Sequence, residues 1–145
     1  MSSKINGFMG KLLGKAEILE AEDLATEPVE VPEWGGWVNV KGLSGVERDA
    51  WEESRVDRRA KVKAGEARPL NLVNFRASLV AQCVVDEGGK RLFSDKEAID
   101  LGRKSAVAIN RVFEVAQRLC GMTDEDMDEL TGDLEPEDSV ASPSS

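Results

Sequence analysis

The sequence contains no histidine. That removes Ser-His and Cys-His catalysis, imidazole acid–base work and His-ligated metal sites together. It has two cysteines, Cys83 and Cys120, too far apart for a CxxC or a zinc spacing. Two such thiols fit a reducing cytoplasm, and both fall on apolar helical faces with no basic cluster adjacent, the pattern of inert core thiols. Aromatic residues make up 5% of the chain. No segment approaches about 18 continuous apolar residues, so no membrane span is expected. The apolar run Ile5–Leu13 follows a single lysine and has no A-x-A cleavage site, which argues against a signal peptide. GxGxxG, GxxxxGK[ST] and GxSxG patterns are all lacking, and no cofactor is expected.

What is present is a chain of 145 residues, 41% hydrophobic, enough for one small core with flexible ends. Its formal net charge is -9, and the excess lies at one end. Residues 122–145 carry nine acids and no Lys or Arg, which leaves residues 1–121 balanced at 19 acids and 19 bases. An acidic end disfavours phosphate and hence nucleic acid.

Local patterns imply a mostly α-helical α+β fold with small β-hairpins. It is divided into a flexible N-terminal arm (1–26), a compact helical domain (27–131) and a disordered acidic Ser-Pro tail (132–145). In the arm, Ile5, Phe8, Met9, Leu12 and Leu13 have helical spacing, but Gly7, Gly10 and Gly14 each weaken a helix by about 1 kcal/mol. The arm is therefore frayed, or a segment that turns helical against a partner through Phe8 and Leu12, or a membrane-surface helix, for which three lysines are few. Residues 28–42 alternate around Gly35-Gly36 as a hairpin, with Pro28 and Pro32 placing the first strand at an edge. Ser44 and Glu47 form a capping box for a helix over 44–64, with Val46, Ala50 and Trp51 as its apolar face and a charged second half in solvent. A central buried helix is expected over 71–85 through Leu72, Val73, Arg76, Leu79, Val80, Cys83 and Val84. The Asp86–Gly89 turn gives a second hairpin. Ser94 with Glu97 starts a helix over 95–101. Ser105 caps a helix over 106–120, which stops at Gly121, and Thr123 caps a last helix over 124–130.

Candidate sites are few. Asp124, Asp126, Asp128 and Glu135 have partial calcium-loop spacing, but Glu129 stands where that loop needs glycine, and an acidic helix start explains the same residues. The basic run Arg55, Arg58, Arg59, Lys61, Lys63 and Arg68 reads as a solvated helix end or as a docking surface for an acidic segment. The chain's own acidic end could be that segment if identical subunits meet head to tail. Trp34 and Trp37 either pack over the helices or form an exposed aromatic hot spot. Trp34, Trp37, Arg55, Arg58, Arg59, Phe8 and Leu12 are thus the candidate partner-binding residues, and no catalytic or metal residue is expected.

Three stretches that together carry five elements in order, VEVPEWGGWVNVKGLSGVERDAWE (Val29–Glu52), VDEGGKRLFSDKEAIDLGRKSAVAINRVFEVAQRLCGMTDEDMDEL (Val85–Leu130) and the helix between them, resemble the tail assembly chaperones of long-tailed, non-contractile bacteriophages and prophages. The resemblance implies a non-enzymatic protein of the host cytoplasm, absent from the mature virion. Its implied partner is the tape measure protein, kept soluble until the major tail (tube) protein polymerises around it. Many such chaperones occur with a longer form made by ribosomal frameshifting, and this chain would be the short form. A structural minor tail protein or a small cytoplasmic adaptor is the alternative.

Overall fold

The structure is a computed structural model that describes residues 3–5 and 8–131, with side chains from residue 10 onward. Two short strands, β1 (Ser3–Ile5) and β2 (Phe8–Gly10), pair antiparallel with Ser3 opposite Gly10. The segment expected to be frayed or helical is thus extended at its start. Its glycines explain the difference, because each penalises helix while tolerating extended backbone. A helix the sequence reading did not place follows, α1 (Lys15–Glu20). The Glu17 carboxylate accepts from the Gly14 backbone N–H at 2.8 Å and pairs with Lys11. These contacts hold the Glu17 carboxyl below its ordinary range, the Lys11 hydrogen bond most of all. α1 buries none of its residues.

β3 (Thr26–Val31) and β4 (Gly36–Lys41) form the expected hairpin, in register from Thr26↔Lys41 to Val31↔Gly36. The turn differs slightly from the expectation. A 3-10 turn, Pro32–Trp34, leads into Gly35, whose φ of 80° is the left-handed conformation that glycine tolerates, and Gly36 already belongs to β4. β3 is an edge strand, as its prolines require.

α2 (Gly45–Ser54) starts on the expected capping box: the Glu47 N–H donates to Ser44 Oγ at 3.2 Å, and the Ser44 N–H to Glu47 Oε1 at 2.9 Å. It ends at Ser54, not near Gly65. Beyond that point no apolar face remains to pay for helix formation. The chain folds back instead: Val56 bridges Leu70, the Asp57 N–H donates to the Pro69 carbonyl at 2.8 Å, and the Asn71 N–H donates to the Arg55 carbonyl at 2.6 Å. Residues 57–69 are thereby closed off as a loop. Val46 and Ala50, expected on the apolar face, are exposed, and Trp51 is the one buried residue of α2.

α3 (Phe75–Cys83) is the buried central helix, but it begins later than its periodicity suggested. Leu72 and Val73 precede it and are exposed. Arg76 is exposed too, with its guanidinium 5.5 Å from the centre of the Phe113 ring. β5 (Val84–Val85) adds to the sheet beside β4, giving the order β3-β4-β5, all antiparallel. The expected turn follows: Asp86 Oδ1 accepts from the Gly88 and Lys90 N–H groups at 2.8 and 3.0 Å, and Val85 bridges Arg91.

The Ser94–Glu97 capping box is present, but 3-10 bonds occupy residues 94–99 and α4 (Ala98–Leu101) is a single turn. α5 (Ala106–Leu119) starts where the Ala108 N–H donates to Ser105 Oγ and ends before Gly121, at a φ of 73°. α6 (Asp124–Leu130) starts on Thr123, whose hydroxyl accepts from the Asp126 N–H.

The sheet rests on α5, and α3 packs between α5 and α4. Val29, Val31 and Val40 meet Leu79, Val80, Val112, Phe113 and Ala116 in one core. Two glycines mark where backbones must approach closely. A Cβ on Gly42 would lie 2.6 Å from the Leu119 carbonyl oxygen, so the end of β4 and the last turn of α5 touch main chain to side-chain position. Gly42→Ala is expected to lower stability by about 1–3 kcal/mol, since backbone yields less than a side chain; a urea titration reads this as a lower midpoint. A Cβ on Gly102 would meet the Asn74 carboxamide at 1.9 Å, and that carboxamide donates through Nδ2 to the Ala98 carbonyl at 2.8 Å. Asn74 is itself left-handed at φ 57°, a conformation asparagine tolerates better than most residues. It fixes the entry to α3 against α4.

Two ion pairs tie the outer edge of α5 to the hairpin, Arg111 to both Glu33 oxygens and Arg118 to Glu27 at 2.8 Å. The Arg111 hydrogen bond holds the Glu33 carboxyl down at about 2. A carboxyl depressed on folding stabilises the native state above its ordinary range near 4.5, and this contribution fades as pH falls toward about 2. Glu33→Gln should therefore flatten the acid limb of stability between those values and leave its shape at higher pH unchanged. Thermal unfolding across pH tests this.

Candidate partner-binding surface

The residues singled out from the sequence do not form one site. Trp34 packs against the core and lines a small apolar recess of about 290 Å³ with Phe93, Leu101 and the flanking Asp100 and Lys104. Its indole Nε1 is buried with no hydrogen-bond partner among the described residues. Trp37, opposite Glu30 in the hairpin, is 63% exposed. The two tryptophans thus have different fates: one packs as expected of a core residue and the other stays in solvent.

Arg55 is a structural residue. Its Nη2 donates to the carbonyls of Asn71 and Val73, both at 2.5 Å, so it clamps the loop before α3 onto the end of α2. Partial burial lowers its pKa from the usual guanidinium value. Arg58 pairs with Glu53, and its carbonyl accepts from Arg68 at 3.1 Å. Arg59 is exposed. The basic run therefore lies on a loop held by its own internal contacts, not on the solvated end of a helix. Leu12 is exposed ahead of α1, and the Phe8 side chain lies outside the described residues, as does the tail from 132 onward. Asp124, Asp126 and Asp128 sit on α6, where Asp126 accepts from the Thr123 N–H at 2.9 Å; Glu135 lies outside the described residues. That hydrogen bond holds the Asp126 carboxyl below its ordinary range. Among the described residues no helix is long and apolar enough to cross a membrane.

Exposed apolar side chains flanked by grooves surround the loop 71–74, which sequence reasoning placed inside a buried helix. Val73 is 75% exposed and Ile99 of α4 is 62% exposed, and both line one groove of about 360 Å³ whose floor is Trp51 and Ala98. Leu72, on the other side of the same loop, lines two further grooves, one floored by Phe75 and Ile109 and one by Phe75, Phe113 and Met127. Three grooves thus converge on the entry to α3. Two devices hold this loop in its exposed position: the Arg55 clamp on its carbonyls, and the Asn74 carboxamide seated on Gly102. The signal that could have revealed it is Asn71-Leu72-Val73-Asn74. Two asparagines bracketing two apolar residues suit a turn ahead of a helix better than its interior.

Such an arrangement can bind. It presents apolar side chains on a rigid loop beside a rim of Arg76, Gln82, Asp95 and Asn110. No curated protein and no solved structure matches the chain. Residues 15–131 match the family described as phage tail assembly chaperone, a span that includes α1 and so begins ahead of residue 27, where the sequence reading began its domain. With four-fifths of the chain inside that match, this protein belongs to the phage tail assembly chaperones.

Proposed function

We propose that this chaperone binds the tape measure protein through the exposed apolar side chains around the loop 71–74, Val73 with Ile99 on one side and Leu72 on the other, and keeps that long helical protein soluble until the tail tube forms around it. The observation that carries this reading is the convergence of exposed apolar side chains on a loop braced from both sides, in a chain of the tail assembly chaperone family. A helical protein awaiting its tube exposes apolar stripes, an aggregation hazard. Many copies of a small acidic protein, each binding modestly, would cover such stripes through repetition and still release them to the tube protein. The formal net charge of -9 would keep the coated assembly dissolved. The role is non-catalytic and belongs to the host cytoplasm. The chain acts as the short form of a frameshift pair and leaves before the virion is complete.

The test is co-expression with a candidate tape measure protein. A soluble complex containing both is expected, with the chain missing from purified virions by mass spectrometry. An insoluble long protein in the presence of this chain and its longer form would refute the reading, and stoichiometric presence in virions would favour a structural tail protein instead.

A further inference from the structure

The chain's two cysteines, 37 positions apart in sequence, face each other in the core with their sulfurs 3.7 Å apart. Cys83 closes α3 and is fully buried; Cys120 is the residue that ends α5 and is 8% exposed. Neither thiol is used by the proposed binding surface. We propose that they form an oxidative modification site, in which hydrogen peroxide converts Cys83 and Cys120 to an intramolecular disulfide that ties α3 to the end of α5.

The two thiols are not equivalent. Around Cys120 stand the Leu43 backbone N–H, the Arg48 guanidinium and the opposing Glu47 carboxylate, while Arg91 and Glu47 face Cys83. The Arg48 Nη1 also donates to the Cys120 carbonyl at 3.4 Å. The Cys83 hydrogen bond leads in holding the Cys120 thiol below its ordinary value, whereas that same contact and burial push the Cys83 thiol up. Cys120, the less deeply buried of the two and the one beside the Arg48 guanidinium, is the attacking sulfur and Cys83 the resolving one. In the first step the Cys120 thiolate displaces hydroxide from peroxide and becomes a sulfenic acid. In the second, the Cys83 sulfur attacks the Cys120 sulfur, its proton leaves with the departing hydroxide, and water is released. Overall, two thiols and one peroxide give one disulfide and two waters. A disulfide is roughly 2.0 Å long, so the sulfurs need close by less than 2 Å, within reach of side-chain rotation.

Peroxide treatment of the folded full chain, followed by denaturation and alkylation, tests this. The expected result is an intact mass lower by two hydrogens, loss of both alkylatable thiols, and a Cys83–Cys120 cross-linked peptide. The oxidised protein should also unfold at a higher temperature than the reduced one. Cys83→Ala, chosen because it puts no unpaired hydroxyl in an apolar site, should leave a sulfenic acid at Cys120 that dimedone traps. Cys120→Ala should leave Cys83 unmodified. Disulfides between chains, survival of both alkylatable thiols, or over-oxidation of Cys120 with Cys83 still alkylatable would each overturn the proposal. So would cross-linking that proceeds as fast in urea as in the folded state. The wild-type peptide map decides the matter even if neither variant folds.

Discussion

Trp51→Ala is expected to cost about 3–5 kcal/mol, the largest effect of any single truncation in this domain. Trp51 is the one buried residue of α2, so the whole helix is anchored to the core through its indole. The ring lies 5.2 Å from that of Phe75, which in turn lies 6.4 Å from that of Phe113. The indole Nε1 donates to Ser78 Oγ at 3.0 Å, and the same hydroxyl donates to the Phe75 carbonyl at 2.7 Å. Truncation therefore removes the apolar contact, opens a void beside Phe75 and leaves the Ser78 hydroxyl without one of its partners. Against a total stability of about 5–15 kcal/mol for a domain of this class, such a loss leaves little margin. Urea denaturation should show a sharply lower midpoint, and limited proteolysis should cut first within residues 45–71, the segment that Trp51 fastens. Trp51→Phe should recover most of the packing but not the hydrogen bond, and so fall between the two. A stability loss under about 1 kcal/mol for the alanine variant would show that α2 is held by something other than its tryptophan.

The second large effect concerns binding. A variant carrying Val73→Asp and Ile99→Asp should fold with stability close to the parent, because surface substitutions of exposed side chains typically change it by about 0.5 kcal/mol or less. Under the proposed function, the same variant should fail to keep the tape measure protein soluble. Each apolar side chain covered by a partner contributes about 1.5–3 kcal/mol, and a charge in its place must be desolvated without a counter-ion. Losing even 1.4 kcal/mol at every copy weakens each contact by about tenfold, and repetition multiplies the loss along the length of the client. The paired variant Val73→Lys with Ile99→Lys separates this from simple charge repulsion. Lysines bring the net charge nearer neutrality while aspartates move it further away, so both variants should fail alike if apolar contact is what matters. The readout is the soluble fraction of the long protein after co-expression, with unfolding midpoints measured in parallel. Full solubilisation by both variants would move the binding surface elsewhere, with exposed Trp37 and the leucines flanking and within α1 as the next places to look.

The resemblance read from the sequence holds for the family, and the α+β class that the local patterns implied is the one observed. Much of the fold was legible because its signals are local. The capping residues Ser44, Ser105 and Thr123 lie where the helices start, Gly121 lies where α5 stops, and the Pro28-bearing strand is at the edge. Each depends on groups within a few residues, so the sequence carries the whole argument. Periodicity misled where a run of apolar residues continued past the element it belonged to. Leu72 and Val73 share the spacing of α3 but are turned out of it by Asn74 and the Arg55 clamp. Val46 shares the spacing of α2, but no neighbouring element among the described residues covers it, and it stays exposed.

What the sequence determined by itself is therefore the order of elements, their caps and stops, the lack of imidazole chemistry, and the acidic end. These are properties of composition and of contacts that close within a turn or two of chain. What only the tertiary structure decided is which apolar residues are covered and which distant groups meet. The Cys83–Cys120 contact, the tilted Trp51–Phe75–Phe113 ring contacts, the Gly42 approach to Leu119 and the exposed groove shared by Val73 and Ile99 all join residues from separate elements. Burial depends on how whole helices and strands pack, and hydrophobic spacing along one element shows a face without showing what, if anything, lies against it.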